Sequence, residues 1–473
     1  MKFLLINPII GARKRLPAYF PLGLGYIAQS LLDEGHAVEV LDINAHRWSP
    51  DDVEERVRRA EFDAAGITGM VTEFASVRWL SDLIKEVKPT AKVVLGGGLP
   101  TAFPRLLLER TRADIAVVGE GEATITEVAK SLAQGTALSS VTGIWYRDGG
   151  QLRATGPREL IEDLDGLPFP ARHLFPMEQY IKNPVPYLRM FNPQVVSTNI
   201  VSSRGCPYKC AYCFHGLWGH RFRGRSADNI VAEMKHLRDK YGINGVFFMD
   251  DTFVLDRKRL LDICDELVGE NLGIMWAANG RVNLMDRHTL QRMRAAGCRV
   301  VAYGIESGSQ KMLDEMRKGV TVDQAREAVL DTWRAGILPV GYLMIGMFGE
   351  TPGTVTETVR FCNQTGLISK FAFATPFPGT ELYARAVDSG RITPDGSQRL
   401  LESWDEWTDR ILVNLTDLPD HDLRLLKRNA ERRILLGNCW SKLFRYVHLL
   451  GIRGTVRESA LFLMKALRLG HYT

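Results

Sequence analysis

From Lys2 to Ala133 short apolar runs alternate with amphipathic stretches five times over. The runs predict strands at 2–7, 37–41, 64–68, 92–95 and 115–118. The stretches predict helices at 25–34, 50–60, 76–87, 103–110 and 122–133. Ser49-Pro50 supplies a helix cap followed by a proline at the first helical position. Strands that alternate with helices build a parallel, doubly wound sheet, and ligands of such sheets sit at the C-terminal ends of the strands.

The loops at those ends are rich in glycine. Gly23 and Gly25 follow the first strand, and Thr68-Gly69-Met70 follows the third. Gly96-Gly97-Gly98-Leu99-Pro100-Thr101 follows the fourth, and Gly119-Glu120-Gly121-Glu122 the fifth. Glycine lets backbone approach a ligand closely with its N–H groups free. Any one of these loops is accounted for by turn chemistry. Four on one rim point to a large ligand.

Residues 136–190 read as a connector, with a small hairpin around Asp148-Gly149-Gly150 and then proline-punctuated extended chain. A second strand–helix series begins near Val195. Strands are expected at 196–202, 245–249, 275–278, 300–304, 338–345 and 370–374. Helices are expected at 227–241, 257–270, 285–296, 309–316, 322–335 and 354–365. This predicts an open or partial barrel of parallel strands with its site at the strand C-termini. The tail from about 401 is helical and increasingly basic. The domains expected are therefore 1–135, 136–190, 191–400 and 401–473.

The loop after the first strand of the second series holds three cysteines, Cys206, Cys210 and Cys213. Three thiolates at this spacing can hold an iron–sulfur cluster and leave one iron open for chemistry. A zinc site closed by His215, or a disulfide that strands one thiol, are the other uses of such a triplet. No cysteine precedes Cys206; Cys264, Cys298, Cys362 and Cys439 are scattered in apolar or helical contexts and read as small buried hydrophobes. That usage fits a reducing cytoplasm. The N-terminal strand is too short for a signal peptide, and no run is apolar enough to span a bilayer. A net charge of +5 over 473 residues lacks the strong bias of a dedicated nucleic-acid binder, so no nucleic-acid partner is expected.

Tyr212 just before the last cysteine makes the loop resemble the signature of radical S-adenosylmethionine (SAM) enzymes. The later strand ends extend the likeness: Phe247 to Phe253 with Asp250 and Asp251, Gly304-Ile305-Glu306-Ser307-Gly308, Gly341 to Gly346 before Gly349-Glu350, and Thr375 to Tyr383. With the N-terminal glycine loops, the chain resembles, over about residues 1–400, the radical SAM enzymes that carry a cobalamin-binding domain. That group includes the anaerobic magnesium-protoporphyrin cyclase. The resemblance implies a Rossmann-like cobalamin-binding domain, a partial (β/α)6 TIM-like barrel and a helical C-terminal region. It implies a 4Fe–4S cluster on Cys206, Cys210 and Cys213, with SAM on the open iron. Asp250 or Asp251 would lie near the methionyl ammonium, and Glu306 and Ser307 at the ribose or methionyl end. Tyr212, Met344, Ile345 and Thr375 would line the adenine. Asp251 could equally cap a helix, and Met344-Ile345 could be core. Cobalamin would meet Gly23, Gly25, Thr68, Gly69, Met70, Gly96, Gly97, Thr101, Gly119, Glu120, Gly121 and Glu122. The Asp-x-His-x-x-Gly run of some cobalamin proteins is missing; Asp42 and His46 have the wrong spacing, and His46 reads as a surface histidine at a helix start. No protein histidine is therefore expected beneath cobalt. Leu99 stands where the group commonly has a histidine.

The resemblance implies methyl transfer to an unactivated carbon or phosphorus of a small-molecule or lipid-like intermediate. A radical cyclisation, rearrangement or oxidation is the alternative. Methylthiolation of transfer RNA would need an N-terminal set of cysteines, and a non-catalytic cluster protein would leave the later acids and glycines without a role. A flavodoxin or ferredoxin is the expected electron donor. Trp404, Trp407 and Trp440 are candidates for substrate contact or core anchors. From Arg424 on, basic and apolar residues interleave (Lys427, Arg428, Arg432, Arg433, Lys442 to Arg445, then Phe462, Leu463, Lys465 and Arg468). That pattern suits either a helix on an anionic membrane or one packed on the barrel with a solvated basic face.

Overall fold

The computed structural model describes residues 1–10, 19–393, 401 and 410–451. Trp404, Trp407, Phe462, Leu463, Lys465 and Arg468 lie outside them. The chain divides into two compact units. The first comprises Met1–Asn183, Ser203–Arg225 and Thr375–Val413; the second comprises Pro184–Ser202, Ser226–Ala374 and the described residues from Asn414 on.

The first unit is built on a seven-stranded sheet. Its strands are β1 Lys2–Asn7, β2 Ala37–Asp42, β3 Ala64–Thr68, β4 Lys92–Gly96, β5 Ile115–Val117, β6 Ile144–Asp148 and β7 Gln151–Ala154. They run in the order β2-β1-β3-β4-β5-β6-β7. The first five are parallel, as the alternating sequence requires. The order reverses between β1 and β3, the switch point where doubly wound sheets bind ligands. Leu4, Ile6, Ala65, Ile67, Val93 and Leu95 alternate along the strands and bury themselves against Val77, Leu80, Ile84, Leu107 and Leu108. Each Leu, Ile or Val among them contributes about 1.5–3 kcal/mol on leaving water. The helix Pro50–Arg59 starts as the sequence dictates: Ser49 and Asp52 form a reciprocal capping box with Pro50 at the first turn.

Two departures stand out. The expected hairpin forms as β6 and β7, but it pairs antiparallel with β5 and so extends the sheet. The Gly96-Gly97-Gly98 loop gives way at once to a short helix, Gly98–Ala102, before Pro104–Arg110.

The second unit holds β8 Ser197–Ile200. The chain then passes through two short strands of the first unit, β9 Ser203–Arg204 and β10 Arg223–Gly224. Back in the second unit come β11 Gly245–Phe248, β12 Met275–Gly280, β13 Cys298–Glu306, β14 Leu338–Ile345 and β15 Phe371–Phe373. Its six strands lie in chain order, β8-β11-β12-β13-β14-β15, all parallel and not closed. This is the expected half-barrel. Its helices follow the apolar periodicity, with Ala227–Tyr241 capped by Ser226 and ended by Gly242 at φ +66°. β13 runs past Gly304 because a register shift between Gly304 and Glu306 keeps it paired with β14. No helix among the described residues is long and apolar enough to cross a membrane.

Candidate functional site

The cysteine loop belongs to the first unit and is closed at its neck. β9 and β10 pair antiparallel, with Arg204 opposite Arg223. Gly205 follows at φ +83°, and a Cβ there would lie 2.1 Å from the Arg221 carbonyl oxygen. Only glycine lets the two strands of the neck cross this closely. Cys210 is buried, Cys206 and Cys213 are half-buried, and no disulfide joins any of the three. The Cys213 N–H donates to the Cys210 carbonyl at 3.1 Å. Tyr212 is half-buried beside them.

The donor chemistry fits a cluster. Three thiols on one loop, none of them in a disulfide, offer three iron ligands and omit a fourth. Among the described residues no three Cys, His, Asp or Glu side chains converge tightly enough for a single metal ion. His215 instead tilts against His220 at 4.1 Å between ring centres, with its Nε2 buried.

The neck arginines meet two carboxylates that the sequence reading assigned to cobalamin. Arg204 donates from Nη1 to Glu120 Oε1 at 2.8 Å and from Nη2 to Glu122 Oε1 at 2.5 Å. Arg223 Nη1 reaches both oxygens of Glu120 at 2.9 Å. All four side chains are buried. Burial would raise the Glu120 carboxyl, but the hydrogen bonds from Arg223 and Arg204 outweigh it and hold the group below its usual range. The loop after β5 is thus bolted to the neck of the cysteine loop. Backbone, not carboxylate, is what Gly119 to Glu122 offer a ligand.

The other glycine loops of this unit form a laced rim. Gly69 N–H donates to Gly96 O at 3.1 Å, and Leu99 N–H to Gly69 O at 3.0 Å. Thr101 Oγ1 donates to Gly97 O at 2.8 Å and accepts from Gly119 N–H at 3.0 Å. Gly97 sits at φ +97°, where a Cβ would press to 2.9 Å on Gly69 O. Hypothetical Cβ atoms on Gly23, Gly96 and Gly98 would meet nothing within 4 Å. This is a smooth backbone cradle, which suits a large planar ligand. Met70 is exposed and Thr68 half-buried at the same edge. Gly25 serves packing instead: a Cβ there would strike Phe20 and Pro170 at 2.8–2.9 Å. Leu99 is buried in the core. Asp42 is buried and engaged by Tyr180 Oη at 2.7 Å and Asn7 Nδ2 at 2.8 Å. His46 is exposed and ends the short helix Ile43–His46, stacked on Trp48.

In the second unit the predicted residues divide. Asp250 is fully buried and accepts from Ser202 N–H at 2.8 Å and Ser202 Oγ at 2.6 Å. Its carboxylate serves the strand ends. Asp251 is exposed, yet the protein around it and the charge of Asp250 push its carboxyl up to about 6. A cation placed there would relieve both effects. Asn279 at the end of β12 donates to the Asp250 carbonyl at 3.1 Å, while its buried Oδ1 has no hydrogen-bond partner. An uncompensated carboxylate and an unpaired amide oxygen at neighbouring strand ends fit the cationic, N–H-bearing methionyl end of SAM.

Glu306 adopts φ +63°, unusual for a residue with a side chain, and pairs with Lys318 at 3.1 Å. A Cβ on Gly304 would lie 2.5 Å from Glu306 Oε1, so the glycine makes room for that carboxylate. Ser307 Oγ is 3.0 Å from Thr358 Oγ1 and accepts from Ser309 N–H, which fixes the turn on the helix Pro352–Thr365. Met344 is half-buried and faces away from Ile345, which is buried in the core. Thr375 is half-buried and falls in the first unit. Arg204, Arg223, Asn279 and Lys318 were not singled out from sequence. The acid pair two apart at 120 and 122, and arginines flanking the cysteine run, were the available signal.

The family models agree with this geometry. Residues 10–129 match the B12 binding domain, and residues 200–362 match the Radical SAM superfamily. An uncharacterized methyltransferase of Pyrococcus horikoshii is 34% identical over 393 residues, covering 82% of this chain and 83% of that protein. The chain belongs to the cobalamin-binding radical SAM enzymes. The anaerobic magnesium-protoporphyrin IX monomethyl ester cyclase of Rubrivivax gelatinosus is 28% identical over 381 residues, 79% of this chain and 67% of the cyclase. The radical SAM methyltransferase TsrM from Kitasatospora setae, solved with cobalamin and a [4Fe-4S] cluster, shares the fold. Its TM-score is 0.69 at 22% identity, over 83% of this chain and 76% of TsrM. The cofactors of this family are a 4Fe–4S cluster, SAM and cobalamin.

Proposed function

We propose that this radical SAM enzyme is a cobalamin-dependent methyltransferase acting on an unactivated carbon, or phosphorus, of a small-molecule or lipid-like intermediate. When bound, the cofactors supply a 5′-deoxyadenosyl radical for hydrogen abstraction and a methyl group for transfer. The chain's own residues hold, orient and shield. Cys206, Cys210 and Cys213 are assigned to the cluster. Asp251 offsets the methionyl ammonium, and Asn279 accepts one of its hydrogens. The backbone of Thr68 to Met70, Gly96 to Gly98 and Gly119 cradles the corrin. Tyr212, Met344 and Thr375 are assigned to the adenine.

The observation that carries the reading is the bolt between Glu120, Glu122, Arg204 and Arg223. It ties the loop with the three thiols to the glycine rim within one unit, as an enzyme using both cofactors requires. A low-potential one-electron donor such as flavodoxin or ferredoxin completes the assignment.

The test is anaerobic incubation of reconstituted protein with SAM carrying a deuterated methyl group, a strong reductant and candidate acceptors. Methyl transfer gives 5′-deoxyadenosine and S-adenosylhomocysteine together, with the label in the product. The similarity to the cyclase favours a second reading, radical ring closure or oxidation. That reaction gives 5′-deoxyadenosine alone and a product without the label.

A further inference from the structure

The helix at 439–451 is turned inside out. Its cations Lys442 and Arg445, with Tyr446, face the protein, while the small polar Ser441 and His448 lie at the surface. Lys442 is 3% exposed, and its ammonium donates to Gly437 O at 2.7 Å and Asn363 Oδ1 at 2.9 Å. Tyr446 packs edge-on against Trp333 at 5.4 Å, and Arg445 lies over the same indole at 6.0 Å. Three of its large apolar side chains face water: Trp440 is 80% exposed, Phe444 74% and Leu443 41%, whereas Val447, Leu449 and Leu450 are half-buried. Leu436, at the end of the preceding helix Asp420–Leu436, is 67% exposed. Single exposed apolar residues are ordinary; four within nine residues, two of them aromatic, mark a surface built to be covered.

The surroundings say by what. Arg428 and Arg432 are exposed two turns and one turn before Leu436. Glu431, the one acid among the described residues from 424 on, is engaged by Lys427 at 3.0 Å. Residues 424–473 contain eleven Lys and Arg against two Asp and Glu, in a chain whose total formal charge is only +5. Two copies of such a face would bring like charges together. An anionic sheet with an apolar interior would not, and indole and phenyl rings favour the boundary between headgroups and hydrocarbon.

We infer that Leu436, Trp440, Leu443 and Phe444 dock this enzyme on the surface of an anionic lipid bilayer, with Arg428 and Arg432 against the lipid phosphates. The contact is peripheral: aromatic burial supplies part of the affinity and charge the rest.

The test is flotation of the full-length protein, handled anaerobically, with vesicles of phosphatidylcholine alone or mixed with phosphatidylglycerol. The wild type floats with the anionic vesicles and far less with the neutral ones. The variant Trp440→Ser/Phe444→Ser loses roughly tenfold or more in partitioning. Both positions are exposed, so its urea unfolding curve stays that of the wild type. Three results overturn the inference. The wild type could stay at the bottom with anionic vesicles. The variant could float as well as the wild type. Light scattering could show a dimer that the variant dissolves, which would make a second copy the occupant.

Discussion

Replacing Glu120 with alanine tests whether the bolt holds the cysteine loop. Glu120 accepts from Arg204 at 2.8 Å, from Arg223 at 2.9 Å through both oxygens, and from the Ile161 N–H at 2.7 Å. The side chains of Arg204 and Arg223 are 5% and 2% exposed, so little solvent reaches them. In the variant Arg223 keeps only the carbonyls of Ile161 and Trp218, while Arg204 keeps Glu122. Breaking a buried ion pair from one side costs about 3–5 kcal/mol. The surviving Glu122 contact places the expected loss near the lower end, about 3 kcal/mol. Urea unfolding of the apoprotein, followed by tryptophan fluorescence, measures it. The loss should persist in ~0.5 M salt because the pair is shielded from ions. Iron bound after reconstitution should fall in parallel. The sign with pH follows from the depressed Glu120 carboxyl: its contribution is present above its unfolded value of 4.5 and disappears as pH falls through the lower folded value. A loss below about 1 kcal/mol, or one that salt abolishes, refutes the reasoning.

Glu350 is buried, accepts from Thr354 Oγ1 at 2.5 Å and is pushed from 4.5 up to about 7 by burial. Its raised value favours the folded state at low pH, and that stability is lost as pH climbs through about 7. At about 1.4 kcal/mol per tenfold in proton affinity the loss is about 3 kcal/mol by pH 8. Glu350→Gln should flatten that slope in urea titrations at pH 5 and 8; an unchanged slope places the titrating group elsewhere. Asp251→Asn should weaken SAM binding roughly tenfold by equilibrium dialysis. It should also remove the rise in wild-type affinity as the carboxyl ionises through about pH 6; equal binding at every pH takes Asp251 out of the site. Gly97→Ala forces a side chain into φ +97° and onto Gly69 O. It should cost roughly 1–3 kcal/mol and lower cobalamin uptake, read from the visible spectrum; normal uptake would mean the cradle does not hold the corrin.

The strands were legible because apolar runs of fixed length leave little choice: β1, β3 and β14 coincide with expectation from end to end. What the sequence hid was long-range. The hairpin at Asp148 could be seen, but not the β5 edge it would cover. Gly98 opens a helix because Gly97 turns the chain at positive φ, a geometry that composition alone reads as loop. The cysteine loop was plain, yet its neck was not: nothing local says that Glu120 will find Arg204 and Arg223, 84 and 103 residues away. Asp250 and Asp251 look equivalent in sequence, and only packing shows one enclosed by Ser202 and the other open. The expectation that scattered cysteines are buried holds for Cys264, Cys298 and Cys362 but not for Cys439, which is exposed on the inverted helix. The same inversion leaves Trp440 facing solvent, so it anchors no core.

The most direct test of the central claim is anaerobic reconstitution of the wild type and of the Cys206→Ala/Cys210→Ala/Cys213→Ala variant with iron and sulfide, followed by SAM and a strong reductant. The wild type should hold roughly four irons per chain and release 5′-deoxyadenosine, and the variant should do neither. Zinc in place of iron on those three thiols, or a wild type that never cleaves SAM under strong reduction, would contradict the account.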